Sequence, residues 1–138
     1  MTFTVRSAIR VALAAVVISS VGAIAAHAQK PQSGTEFYLA YKAAFDKASK
    51  IEDIYPFMAA GRLAEMKATP AEDRKMMFEM VKTMGTVTGI KVLKETATPT
   101  GATLDVEGVG ADKAKTTGII TLVKEAGAWK MDKENWKS

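Results

Sequence analysis

The chain has no cysteine, one histidine and one asparagine among its 138 residues. Without cysteine it has no disulfide, no redox dithiol and no thiolate metal ligand, so packing alone must hold the fold together. The one histidine, His27, lies in an N-terminal segment that we expect to be removed. The chain that remains after removal has neither histidine nor cysteine. It therefore cannot form a Ser–His or Cys–His nucleophilic system or the ordinary zinc site. Asn135 precedes Trp-Lys and is not a glycosylation sequon.

The N-terminal segment has the pattern of a secretory signal peptide. Arg6 and Arg10 precede an apolar run of 16 residues, 11–26, and Ala26-His27-Ala28 offers small residues at the two positions that signal peptidase reads. The alternative is a retained membrane anchor, but a spanning helix needs about 20 residues. We therefore predict a signal peptide over 1–28, cleaved after Ala28. The protein would then be exported, either periplasmic or secreted, with no membrane association after cleavage.

Residues 29–138 are predicted to form one domain of 110 residues, enough for a modest single core. Loss of the two leader arginines lowers the formal net charge from +4 to +2. Lysines and acidic residues are interspersed, which is typical of a solvated face. No basic stripe carries aromatic residues, so we expect no nucleic-acid partner.

The first half of this domain carries helical signals. Ser33-Gly34-Thr35-Glu36 matches a capping box. Phe37, Tyr41 and Phe45 follow at helical spacing, which predicts an amphipathic helix over 34–49.

Two shorter elements and a third helix are predicted next. Pro56 in the segment 51–58 indicates a short helical turn and a bend, and 57–67 predicts a short helix. Thr69-Pro70-Ala71-Glu72 predicts a helix that Thr69 caps and that ends at a left-handed Gly85.

The second half changes to a period of two, with many β-branched residues. Short turn segments separate four predicted strands, which favours adjacent antiparallel pairing. The strands are 89–97, 102–109, 116–124 and 128–133. Helices followed by strands predict an α+β fold in which N-terminal helices pack on one face of a curved four-stranded antiparallel meander.

This order of elements resembles the small exported members of the NTF2-like (cystatin-like) superfamily. The resemblance covers the whole predicted mature chain, and its most specific part is Gly127-Ala128-Trp129-Lys130-Met131-Asp132, followed by Trp136. It implies a cone in which a curved sheet wraps around a helix and often encloses a pocket. Members include enzymes, small-ligand binders and domains of unknown function, so the resemblance implies where a site lies and leaves its chemistry open.

The methionines of the third predicted helix allow two interpretations. Met76, Met80 and Met84 lie at i, i+4 and i+8, with Met77 and Val81 alongside. Thioethers are soft ligands for Cu(I), but methionine also fills core faces. With no His or Cys to complete a coordination shell, we predict core packing beneath the sheet and no metal or cofactor.

Acid–base chemistry would need a carboxylate and a tyrosine in an apolar pocket. The candidates are Tyr38, Tyr41, Tyr55, Asp105 and Glu107. Because Leu104 and Val106 share the opposite face of their strand, Asp105 and Glu107 are predicted to face water. We therefore name no catalytic residue. A phosphate loop that starts at Gly108-Val109-Gly110 would need a third glycine at position 113, where the chain has Lys113. We therefore predict no phosphate loop here.

The sequence leaves three functions open. The first is a non-enzymatic domain that binds an unknown small molecule or protein, the second an enzyme for proton transfer or hydrolysis, and the third a module that forms homodimers through its sheet. A pocket would be lined by the inward residues of the helix and strands. These are Tyr41, Phe45, Leu104, Val106, Ile120, Leu122, Trp129 and Met131. Trp129 and Trp136 are more typical of core residues than of ligand contacts.

Overall fold

A computed structural model describes residues 33–137, and the predicted leader lies outside this range. The elements are α1 Gly34–Lys47, a 3-10 segment Ile51–Phe57, α2 Ala60–Ala68, α3 Ala71–Met84, β1 Thr88–Thr98, β2 Gly101–Val109, β3 Lys115–Glu125 and β4 Ala128–Lys137. Helices precede a four-stranded antiparallel sheet of order β1-β2-β3-β4, which confirms the predicted α+β class. No helix within 33–137 is long and apolar enough to cross a membrane.

Tight turns hold the outer strand pairs together. Two residues, Pro99 and Thr100, separate β1 from β2. The β3–β4 turn consists of Ala126 and Gly127, with φ of 49° and 76°. Two consecutive positive φ angles are typical of a two-residue hairpin turn. Such short turns make each strand pair with the one next to it in the chain, which gives a meander.

The core lies between α1 and the inward face of the central strands. Leu104, Ile120 and Leu122 are fully buried at 0% exposure. In β2, Asp105 is exposed between buried Leu104 and Val106, which confirms the predicted alternation. The opposing surface of α1 is aromatic, and its buried aromatic residues are Phe37, Tyr38, Tyr41 and Phe45.

A β-bulge in β4 changes which residues face the helices. Leu122 pairs with Met131 while the preceding Thr121 pairs with Lys133, so Asp132 has no partner of its own. Beyond this extra residue, Glu134 lies opposite buried Ile120. A one-residue shift exchanges the two faces of a strand, so Glu134 and the later inward residues occupy the helix-covered side.

Two carboxylates of the sheet hold helix N-termini. Glu95 of β1 accepts from the N–H groups of Gly34 and Thr35, both at 2.9 Å, and from the Thr35 hydroxyl at 2.6 Å. Glu125 accepts from the Ala60 N–H at 2.9 Å. The first N–H groups of a helix have no partner inside the helix and favour negative charge. These contacts therefore fasten α1 and α2 to the sheet.

The junction of α2 and α3 differs from the prediction. The Thr69 hydroxyl donates to the Glu65 carbonyl at 3.4 Å and its N–H to the Met66 carbonyl, so Thr69 closes α2 and does not cap α3. Gly85 ends α3 as predicted, but its φ of −126° is not left-handed. Its N–H still reaches the Val81 carbonyl at 3.0 Å. Because that helical bond is kept, the chain needs no left-handed cap.

The predicted core role of the methionines is wrong. Met76, Met80 and Met84 are 63%, 53% and 69% exposed, and Phe78 is the buried residue of α3. This helix lies against the 3-10 segment and the end of α1, where the Phe78 ring meets Phe45 at 5.7 Å. Because α3 is anchored along one edge and not beneath the sheet, its methionine stripe faces away from the core.

Candidate ligand-binding cavity

A cavity of about 320 Å³ lies between the helices and the C-terminal end of β4. Its volume falls at the lower end of ligand pockets, roughly 300–1,000 Å³. The wall is mostly apolar, with a small number of polar groups. Apolar lining residues include Phe45, Ile51, Ile54, Met58, Met66 and Phe78. Polar lining residues include Tyr41, Lys42, Arg62, Arg74 and Glu134.

Glu134 is the carboxylate of this wall, and the bulge at Asp132 puts it there. The Tyr38 hydroxyl donates to Glu134 Oε1 at 3.0 Å, and Trp136 Nε1 donates to the same oxygen at 2.8 Å. Lys42 Nζ lies 3.5 Å from that oxygen. All three contacts fall on Oε1, and no residue within 33–137 forms a hydrogen bond or ion pair with Oε2. The cluster therefore fixes the carboxylate and leaves its second oxygen out of the network.

Two buried tyrosines flank this carboxylate. Burial, followed by the charge of Glu134, raises the pKa of Tyr38 far above its ordinary value. Burial and Glu134 also raise the pKa of Tyr41, which the Arg62 charge partly opposes. Both phenols are therefore neutral at neutral pH and serve as hydrogen-bond donors, not as bases.

Arg74 contributes a cation whose position is fixed by backbone groups. Its Nη1 donates to the Lys67 carbonyl at 3.1 Å and to the Thr69 carbonyl at 2.9 Å. Its Nε is buried and has no hydrogen-bond partner among the described residues. A buried donor without a partner costs roughly 1–3 kcal/mol. Arg74 thus brings a pre-oriented guanidinium with an unused donor to the cavity wall.

Trp136 reaches the cavity because it lies over a glycine. Gly118 pairs with Trp136 across β3 and β4. A Cβ at position 118 would approach Trp136 Cε3 to 2.8 Å and the Asn135 carbonyl to 2.9 Å. Glycine inside a strand often marks such a close approach. Sequence reasoning missed this role of Gly118, although a glycine in the middle of a predicted strand was a signal of close packing.

The residues predicted to line a pocket are divided between the wall and the core. Tyr41 and Phe45 line the cavity. Trp129 is half-buried and packs against the core, and Lys124 Nζ lies 4.6 Å from its ring centroid. The other five are core residues, namely Leu104, Val106, Ile120, Leu122 and Met131. The aromatic residues of α1 cover the middle of the sheet, so the open space lies beside α1 and not beneath it.

The predicted acid–base candidates do not converge. Asp105 is exposed, and Glu107 pairs with Lys115 at 2.6 Å on the outer face, which lowers the pKa of that carboxyl. The Tyr55 hydroxyl is buried without a partner in the described part of the chain. Within residues 33–137, no group of three or more His, Cys, Asp or Glu could hold a metal ion. Asp105 and Glu107 lie away from the cavity, as predicted, and Glu134, which sequence reasoning did not select, is the carboxylate that lines it.

Comparisons with protein-family models, with curated proteins and with solved structures find no match for this chain. The fold and the cavity therefore carry the functional argument by themselves. They define an α+β domain with a ligand-sized space between a helical layer and one end of an antiparallel meander.

Proposed function

We propose that this protein is an exported, non-enzymatic domain that binds a small molecule in the cavity beside α1. The observation that carries the proposal is the 320 Å³ cavity itself, with an apolar wall and few polar groups. Specific small-molecule sites have this composition, because the apolar surface supplies affinity and the polar groups orient the ligand. The volume corresponds to about ten water molecules at about 30 Å³ each, which suits a ligand of about ten non-hydrogen atoms.

The state of Glu134 supports binding over catalysis. Its Oε1 accepts from Tyr38 and Trp136 and faces Lys42. These contacts hold the carboxylate in one position, as a group that orients a ligand requires. The tyrosines stay neutral, since burial raises their pKa values. The polar wall is thus suited to orienting a ligand.

Probe binding and a matched pair of variants test the proposal. Octanoate, octanamide and octylamine share an eight-carbon chain, and binding of each is followed by native mass spectrometry and calorimetry. Met77 lines the cavity and Met80 does not, although both are 53% exposed on α3. Met77→Trp should weaken probe binding, while Met80→Trp should leave it unchanged. Failure of all three probes to bind the folded protein, or equal effects of both variants, would overturn the proposal.

An enzyme is the second candidate, because Glu134 and Tyr41 line the same cavity. In that mechanism Glu134 would take up a proton and the neutral Tyr41 hydroxyl would donate to a developing oxyanion. An activated eight-carbon ester, p-nitrophenyl octanoate, gives the assay. Turnover that Glu134→Gln abolishes, with octanoate binding retained, would favour this candidate. A rate equal to the buffer background would eliminate it for ester hydrolysis.

Export and NTF2-like membership are part of the proposal. The order of helices before a meander supports the resemblance, and the signal-peptide pattern of 1–28 supports export. Intact mass measurement of the protein from its own cells should give a chain that begins at Gln29. A mass that includes residues 1–28 in the mature protein would contradict cleavage.

Homodimerisation through the sheet is a further candidate. Leu93, Val109 and Ile119 are exposed apolar residues of the first three strands. Light scattering at micromolar concentration should then give twice the chain mass. A monomer at that concentration would argue against this assembly.

A further inference from the structure

The cavity wall carries an excess of positive charge. Its polar lining includes Lys42, Arg62 and Arg74 against the carboxylate of Glu134. Lys42 lies beside Glu134, at 3.5 Å. Neither arginine forms a salt bridge within residues 33–137. Arg62 Nη1 instead donates to the Asp132 carbonyl at 3.2 Å. Within the described part of the chain, the two guanidinium groups at the cavity therefore form no ion pair.

Arg74 is the better placed of the two for a ligand. The carbonyls of Lys67 and Thr69 occupy Nη1 and fix the plane of the guanidinium. The opposite edge consists of Nε and Nη2, and Nε is the buried donor without a partner in the described chain. Two parallel N–H groups on one edge match the two oxygens of a carboxylate. The arginine is thus held through Nη1, and its other edge forms no hydrogen bond with the described residues.

We infer that the cavity takes an amphipathic carboxylate, with its head group at the guanidinium of Arg74 and its apolar body among Phe45, Ile54 and Met58. The inference rests on the proposed binding function and names its ligand class. Arg62 adds positive charge at the same cavity, and its Nη1 donates to a backbone carbonyl. The apolar lining and the small volume favour an aliphatic or aromatic monoacid of about ten non-hydrogen atoms.

The three eight-carbon probes separate the ligand class from binding itself. Octanoate and octanamide have the same number of non-hydrogen atoms and differ in charge. Octanoate should bind about tenfold more tightly than octanamide, because its two charged oxygens pair with the guanidinium, whereas the amide offers one neutral acceptor oxygen. Octylamine should bind most weakly. Octanamide binding as tightly as octanoate would overturn the carboxylate inference and leave the proposed binding function in place. Absence of binding by every probe would overturn both.

Variants of α3 then test the role of Arg74. Arg74→Met should abolish the preference for octanoate, and Arg74→Lys should reduce it, because lysine keeps the charge but lacks the two-donor edge. Lys82 gives the matched control, since its Nζ also donates to backbone carbonyls, those of Phe45 and Asp46, at 2.9 and 2.8 Å. Lys82→Met should keep the full preference. If Arg74→Met does not fold, the Arg74→Lys variant provides the test. An unchanged preference of that variant for octanoate over octanamide would contradict the inference.

Discussion

The two layers of this protein are packed very differently. Leu104, Ile120 and Leu122 of the sheet are completely buried, whereas α2 buries no residue and α3 buries Phe78. The sheet and α1 together form the core, and α2 and α3 form a thin cover attached by a few side chains. The cavity lies where the two regions meet. A cavity of this kind persists only where packing is incomplete. The site therefore exists because α2 and α3 pack weakly against the rest of the protein.

The largest expected effect comes from truncating the sheet core. Ile120→Ala removes a fully buried side chain and should lower the free energy of unfolding by about 2–5 kcal/mol. Met80→Ala on the exposed stripe should change it by less than about 0.5 kcal/mol. Urea denaturation measures both. Equal losses in the two variants would show that α3 contributes as much to the core as the sheet does.

A smaller effect is expected where the two regions meet. Gly118→Ala forces a methyl group against Trp136 and the Asn135 carbonyl, and should cost roughly 1–3 kcal/mol. It should also weaken octanoate binding, because Trp136 lines the cavity. Gly61 in α2 is the control, because an added Cβ there would have nothing within 4 Å in the described chain apart from its chain neighbours and its own helix backbone. Gly61→Ala should cause no loss of stability or binding. Normal octanoate binding by the Gly118→Ala protein would show that Trp136 does not contribute to the site.

The smallest effect concerns the attachment of α1 to β1. Burial alone would raise the pKa of the Glu95 carboxyl, but hydrogen bonds from Thr35 and Gly34 hold it below its ordinary value of 4.5. Because the folded-state pKa is the lower one, this stability is present above pH 4.5 and is lost as pH falls through the folded-state pKa.

Glu95→Gln should therefore cost about 0.5–1 kcal/mol at neutral pH, the low end for a helix cap at a solvent-exposed position. The difference between the two proteins should disappear in acid. Denaturation curves at neutral and acid pH give the comparison. A difference that grows on acidification would contradict the cap.

The fold was largely predictable because its signals are local. The capping serine is confirmed, since Ser33 Oγ accepts from the Glu36 N–H at 3.1 Å. The alternation in β2 and β3 gave the inward residues, and the β3–β4 turn at Ala126 and Gly127 was visible as a turn segment. Each of these features depends on residues a few positions apart, so the sequence alone carries it.

The cavity was less predictable because it depends on contacts between distant elements. Strict alternation along β4 extends the inward set from Trp129 and Met131, but the bulge at Asp132 shifts the later part of the strand and brings Glu134 inward. The role of Arg74 could not be predicted from the sequence, because it depends on which carbonyls and side chains surround the guanidinium in the folded protein. The methionine stripe has helical spacing whether it is buried or exposed, so spacing could not decide between the two interpretations.

Hydrogen exchange with and without a bound probe tests the central claim most directly. In the free protein, the amides of β2 and β3 should exchange slowly and those of α3 quickly, because α3 buries so little. Saturation with the tightest-binding eight-carbon probe should slow exchange along α3 and leave the two strands unchanged. Exchange in α3 that is unaffected by a bound probe, or protection confined to the outer face of the sheet, would contradict a site between the helical layer and β4.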